Sequence, residues 1–500
     1  METSMIPSIQ SRGSRAKSAF AILIASATLS AAAMAQSTEL TVLRSREFVT
    51  GAPKGGIVSP ARRNYKLRNT GASSAQWSAS TGADWLSISP SSGTLAPGAT
   101  VTMQFSVDQS IAVGFPLGQR QATVAIRDDT QQADVDNINA EVHIGFTIDV
   151  DGHFRLNGRP YVPIGVWAQP PEDGWASFHA DLGMNLLVGN GYTTLATNPD
   201  FLDAAEAHGM MGMVNYDANV QEHPALLGWY LFDEPDIHNT PPSEVLATYN
   251  SWKAQDPNHQ IMMNLTGFFY HDATWGNDSQ DQLYMEYTAI PDFVAFDFYP
   301  VSGFNRPELL YVPGAATEMM RDHFLDGRAP VFTWIEAADI NHQYVPLSAP
   351  GPTAEQMRFE VWDSIIRGAK AIGYFTISFD PWSWANLTPE IEVELRRTNR
   401  DLERLTPLIT APDAPVNLTV TEQAGQDVHY MVKRRGRTVF VFVSNADMHQ
   451  PYRPASMTFT FDQAPTGVQV YGENRSLTAT GNSFTDSFAP LATRVYIVRF

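Results

Sequence analysis

The sequence predicts a multidomain chain in which a parallel (β/α)8 TIM barrel is flanked by an N-terminal and a C-terminal β-sandwich. Three observations predict it. Between about residues 149 and 408, short apolar runs alternate with helical patterns, which is the signature of a parallel sheet. On either side of that stretch, short alternating strands are separated by Gly, Pro, Ser and Asn turns, as in all-β domains. The chain has 500 residues, more than one hydrophobic core organises, so two to four domains are expected.

Residues 1–35 read as an export signal outside the fold. Arg12, Arg15 and Lys17 supply a basic region, Ala19 to Leu29 a short apolar stretch, and Ala33-Met34-Ala35 a small-x-small cleavage pattern, so the mature chain is expected to begin at Gln36. The apolar stretch is too short to span a bilayer, and no other segment is apolar enough to do so. The chain has no cysteine, so neither disulfides nor a lipid-bearing N-terminal cysteine are expected. A periplasmic or secreted protein without a membrane anchor is the expectation. The net charge of −20 leaves no basic patch to neutralise phosphates, which argues against nucleic acid as a partner.

Residues 36–148 form the first domain. Strands are expected at Asn64 to Arg68, Ala99 to Phe105 and Ala122 to Ile126. Trp77-Ser78-Ala79-Ser80, followed by Trp85-Leu86-Ser87-Ile88-Ser89-Pro90-Ser91-Ser92-Gly93-Thr94-Leu95-Ala96-Pro97-Gly98, resembles a BACON domain over roughly residues 60 to 130. The resemblance implies an immunoglobulin-like module of the kind found beside carbohydrate-active enzymes, acting in sugar binding or as a spacer. Trp77 and Trp85 lie within alternating strand patterns and are read as core residues rather than sugar platforms.

Residues 149–408 form the second domain. Asp149-Val150-Asp151-Gly152 looks like the opening of a calcium loop but lacks the later ligands, so it is read as a turn. Asn157-Gly158 marks a two-residue hairpin. Eight strands follow, at Tyr161 to Trp167, Asn185 to Gly189, Met210 to Tyr216, Gly228 to Phe232, Gln260 to Leu265, Phe293 to Tyr299, Val331 to Ile335 and Ala371 to Phe379. The best helix runs from Thr353 to Gly368, with Thr353 and Gln356 as a capping box and Met357, Val361 and Ile365 on one face. The helices after the third and fifth strands are poorly defined in the pattern. Ile409 to Pro415 is a proline-punctuated linker, and residues 409–500 form the last β-domain, with strands at Thr438 to Val443 and Thr493 to Val498.

The chemistry sits at the strand ends. Gly228-Trp229-Tyr230-Leu231-Phe232-Asp233-Glu234-Pro235-Asp236 opens as a buried strand and ends in three carboxylates, placing Glu234 where a barrel strand emerges. Pro330-Val331-Phe332-Thr333-Trp334-Ile335-Glu336 has the same form. One carboxylate from each of two strands is the inventory that glycoside hydrolysis uses: one group protonates the departing oxygen and the other offers negative charge to the anomeric carbon.

An acid after strand four and another after strand seven resembles glycoside hydrolase clan A, over about residues 149 to 408. The resemblance implies a retaining glycosidase that cleaves an oligo- or polysaccharide by double displacement, with Glu234 as general acid/base and Glu336 as nucleophile. Many members carry Asn before the acid/base, where it bonds the substrate 2-hydroxyl; here Asp233 stands there, a departure that points to an unusual sugar or a divergent family. The resemblance also implies that Tyr299, closing strand six, bonds the nucleophile and that Trp382 or Trp384, after strand eight, is the stacking floor beneath the sugar. Trp167, Asn190, Tyr216, Asn264 and Trp334 lie at other strand ends and are read as completing the pocket. Asp236, Asp297, Asp339 and Asp380 are further strand-end acids, read either as neighbours of the site or as solvated groups.

Competing chemistry is absent from the sequence. There is no His-Glu-x-x-His pair, phosphate-binding glycine loop, Gly-x-Ser-x-Gly elbow or dinucleotide fingerprint, and His223, His271 and His342 lack ligand spacing. No metal or cofactor is implied, carbohydrate is the expected partner, and nothing specifies an oligomeric state. A non-catalytic carbohydrate-binding protein on a decayed barrel is the alternative that Asp233 and the BACON-like module keep open; a transglycosylase would share the same site.

Overall fold

The computed structural model describes residues 39–171, 174–189, 197–270, 280–340, 351–422 and 427–500. The expected export signal, Asn190, His271 and His342 lie outside them. Among the described residues, no helix is long and apolar enough to cross a membrane.

The N-terminal region is two facing sheets. One runs in the order Leu40–Leu43, Arg62–Asn69, Thr100–Val107, Leu86–Ser89; the other Phe48–Ala52, Ala133–Ile144, Gly118–Asp128, Ala75–Ser80, Ser92–Leu95. Alternate residues of both sheets fill one core, in which Trp77 and Trp85 are buried beside Phe48, Met103 and Phe105. Both are core residues: Trp77 by alternation along its strand, and Trp85 from the turn just before Leu86–Ser89, outside the expected strand pattern.

A small three-stranded sheet joins this region to the barrel, with Phe146–Ile148 paired to Phe154–Leu156 and that strand to Arg159–Pro160. Its turn is Asn157-Gly158, both with positive φ (54° and 77°), as the Asn-Gly pair predicts. Gly158 is required for a second reason. A Cβ there would stand 2.6 Å from the backbone of Thr50 and Gly51, so the hairpin tip presses directly on the N-terminal sheet. Phe146 and Phe154 stack at 5.1 Å between centroids, and Phe154 meets Phe293 edge-on at 5.0 Å, closing the floor of the barrel.

Eight parallel strands close on themselves: β1 (Ile164–Trp167), β2 (Leu186–Val188), β3 (Met211–Val214), β4 (Leu226–Asp233), β5 (Gln260–Thr266), β6 (Phe293–Asp297), β7 (Val331–Glu336) and β8 (Ala371–Phe375). The eight expected strands are all present. The helices are α1 (Trp175–Asp181), α2 (Asn198–Ala207), α3 (Pro242–Gln255), α4 (Asp281–Thr288), α5 (Val312–Met319), α6 (Ala354–Ile366) and α7 (Pro389–Ile409). Between β3 and β4 a single 3₁₀ turn, Ala218–Val220, replaces the crossover helix, which is why no helical period is legible there. Thr353 and Gln356 cap α6 reciprocally, and its Met357, Val361 and Ile365 are buried on the barrel side.

Inside the barrel, Phe332 and Trp334 of β7 fill space that neighbouring strands vacate by carrying glycine. A Cβ on Gly373 would lie 2.1 Å from the Trp334 ring, and one on Gly165 2.9 Å from the Phe332 ring. The C-terminal region again has two sheets, of three and five strands, around Phe459, Phe484 and Tyr496. It docks on α6, where Asp363 Oδ1 accepts from His429 Nδ1 (2.6 Å) and Ser444 Oγ (2.9 Å).

Candidate active site

The C-terminal ends of the strands open into a cavity of about 660 Å³. Trp167, Asp233, Glu234, Asn264, Tyr299 and Trp334 line it, so β1, β4, β5, β7 and the residues just past β6 each bring an expected side chain to one place. Asp297, Phe268, Phe298, Phe304, Phe375, Phe379 and His238 complete much of the wall. The lining is rich in aromatic rings, which suits the C–H faces of a sugar ring.

Two consecutive carboxylates face the same cavity, although neighbours along a strand normally point to opposite sides. The backbone explains it. Glu234 has φ of +47°, a left-handed conformation that turns its side chain to join that of Asp233. The Glu234 N–H, donating to the Asn264 carbonyl at 2.9 Å, fixes that turn. Asn264 Nδ2 then bridges the acids, donating to Asp233 Oδ1 (3.1 Å) and Asp297 Oδ1 (3.3 Å). Asp236 faces away from this group. It accepts from the Thr266 N–H and hydroxyl and from the Tyr284 hydroxyl (2.9 Å), tying the loop after β4 to β5 and α4.

Crowding of acids in a buried wall shifts their ionisation. Burial first, and then the charge of Asp233, push the Glu234 carboxyl up to about 7, while its hydrogen bond with Asp297 pulls the other way. Asp297 is held well above the ordinary carboxylate range by burial and by the charges of Glu234 and Asp233. Asp233 is also raised, mainly by burial.

Glu336 takes a different position. It is fully buried and is not part of the cavity wall. Its carboxylate accepts from the N–H groups of Val301 (2.8 Å) and Ser302 (2.6 Å) and from Ser302 Oγ (2.5 Å), and the buried Glu360 of α6 is near enough to feel its charge. Trp382 and Trp384 likewise stand off the wall. They lie on the hairpin after β8, ring to ring at 5.0 Å, with Trp382 47% exposed and Phe379 between Trp382 and the cavity. Tyr216 packs outside the barrel against Trp229 and Trp252.

Asp149 behaves as a turn residue. Its Oδ1 accepts the N–H groups of Asp151 and His153, and its Oδ2 accepts from Arg155 Nε, so the acid is already satisfied by protein donors.

The fold and this site define a parallel barrel with a carboxylate-lined, aromatic-walled mouth. Residues 61–135 match the family described as the viral BACON domain. No curated protein sequence matches the chain. Similar solved structures are glycoside hydrolases. One is the β-glucuronidase of Bacteroides uniformis, 12% identical with a TM-score of 0.34; the match covers 92% of this chain and 59% of that one. A second, described as a glycoside hydrolase, is 13% identical with a TM-score of 0.46 over 71% of this chain and 96% of that one. The GH30 endoxylanase of Clostridium papyrosolvens is 13% identical with a TM-score of 0.37, over 68% of this chain and 97% of that one.

Proposed function

We propose that this chain is an exported hydrolase of glycosidic bonds in which Glu234 protonates the departing oxygen. The observation that carries this is the Glu234 carboxyl itself. It stands at the end of β4 in an aromatic cavity of sugar size, with burial and Asp233 holding its proton to about pH 7. Export rests on the basic, apolar and small-x-small pattern of residues 12–35. The double displacement expected from the sequence needs Glu336 at the anomeric carbon; its carboxylate is engaged by Val301 and Ser302, so that role requires the loop after β6 to release it.

The test is a panel of polysaccharides and aryl glycosides of both anomers, with reducing-end release followed for the mature protein and for Glu234→Gln. Turnover that falls about 10²–10⁴-fold in the variant supports the proposal. Unchanged turnover in Glu234→Gln would remove Glu234 from the reaction. Saturable binding of a glycan with no turnover would establish the second reading, a carbohydrate-binding protein, which the burial of Glu336 favours.

A further inference from the structure

Outside the barrel, α6, α7 and the C-terminal region enclose a second cleft, of about 250 Å³. Arg358 of α6, Arg397, Arg400 and Arg404 of α7, and Arg494 of the strand Thr493–Arg499 all line it. Guanidiniums from three separate elements therefore converge in a chain whose net charge is −20. The dipole of α7 favours cations toward its C-terminal end, but Arg358 and Arg494 belong to other elements.

The cleft holds more arginine than acid. Asp401 and Glu473 are the carboxylates of its described wall. Asp401 stands among the arginines: burial raises its carboxyl, and the charges of Arg397, Arg404, Arg358 and Arg400 oppose the rise. Behind the wall, Glu394 is divided between Arg358 (3.4 Å) and Arg397 (3.5 Å), and Asp486, like Glu473, is divided between Arg475 and Arg494. With Arg475 included, the arginines still outnumber these four carboxylates. Arg400 and Arg404 are exposed, and among the described residues neither donates a hydrogen bond or forms an ion pair. They stand four apart on one helix, a spacing at which like charges repel. An anion would complete such an arrangement.

We infer that this cleft binds the carboxylate or sulfate group of an acidic glycan, at a site separate from the cavity that holds Glu234. The fork of a guanidinium matches the paired oxygens of either anion. The two carboxylates left in the wall favour a glycan over a nucleic acid. Asp401 and Glu473 can accept from sugar hydroxyls, whereas a phosphate backbone would bring a charge against them at each step. The half-buried Tyr471 adds an aromatic ring to the same wall. The choice of glycan rests on the hydrolase reading; the excess of arginine does not.

The experiment measures binding of the mature protein, carrying Glu234→Gln so that no chain is cut, to polygalacturonate, dextran sulfate, unmodified dextran and a double-stranded oligonucleotide. At least one of the two acidic glycans should bind at about 0.01 M salt, and dextran should not compete. Binding should be lost at about 1 M salt, where the screening length falls from roughly 30 Å to roughly 3 Å. The double variant Arg400→Gln, Arg404→Gln should weaken it ~10-fold or more with Tm unchanged, since charge-assisted hydrogen bonds are lost from exposed positions. Arg434→Gln with Arg435→Gln removes the same charge from an exposed hairpin and should leave affinity as it was. Equal affinity in the Arg400 and Arg404 variant, equal loss in both double variants, no acidic glycan bound at low salt, or an oligonucleotide bound as tightly would each overturn the inference. Hydrolysis of uncharged aryl glycosides by the wild type reads the other site, so failure of one leaves the other standing.

Discussion

The backbone N–H of Glu234 donates to the carbonyl of Asn264 across 2.9 Å, pinning a glutamate in the left-handed region at the end of a barrel strand. A non-glycine residue held there costs on the order of 1 kcal/mol or more, so the surrounding structure must hold it in place. The result is two adjacent carboxylates on one wall.

The ionisation of Glu234 sets the pH profile. The proton donor is competent while protonated, and burial with Asp233 raises its carboxyl to about 7. kcat/KM should therefore fall as pH rises through about 7, and initial rates of an aryl glycoside between pH 4 and 9 would locate the limb. A limb near the ordinary glutamate range would remove Glu234 from the role.

Asp233→Asn tests the cause of that shift. Asp233 contributes a nearby negative charge that disfavours ionisation of Glu234, so its neutral isostere should lower the Glu234 pKa. Carbon-detected NMR titration of the side-chain carboxyls in both proteins reads it directly, and an unchanged Glu234 resonance would show burial acting alone.

Glu360→Gln is expected to stabilise the protein at neutral pH. Glu360 is fully buried beside Glu336, and burial holds its carboxyl well above the ordinary range. A group whose folded pKa is raised gives its full stability below the unfolded pKa and loses it as pH rises through the folded one. The amide keeps a donor toward Glu336 and has no proton to lose, so Tm at pH 8 should exceed that of the wild type, by about 1–2 kcal/mol in unfolding free energy. At pH 4 the two should converge. A lower Tm at pH 8 would mean that the glutamate is needed as an acid.

Gly373→Ala places a methyl group 2.1 Å from the Trp334 ring. Overpacking of this kind costs ~1–3 kcal/mol, and the displaced ring would intrude on the cavity. Thermal unfolding and glycan affinity should both fall; a variant with wild-type values would show that Trp334 has room to move.

The barrel was legible because its strands are apolar runs that need no distant information. β4 and β7 each announce themselves by ending in acid. The core position of Trp77 followed from alternation for the same reason, whereas Trp85 is buried from a turn. The orientation of Glu336 did not, because it depends on the N–H groups of Val301 and Ser302, which the loop after β6 brings from another strand. Asp297 stood in the sequence as one strand-end acid among several. Its bond to Glu234 exists because β4 and β6 both flank β5, whose Asn264 spans them. Phe268 and Phe304 reach the cavity from turns, where no period marks them.

The hairpin tip at Gly158 fixes where the chain faces. It seats the N-terminal sheets against the end of the barrel where the strands begin, and Lys54 of that region pairs with Glu222 ahead of β4. The carboxylates lie at the other end, a strand length of roughly 20 Å away. The N-terminal sheets therefore stand at the pole opposite the opening and contribute no residue to the described wall of the cavity.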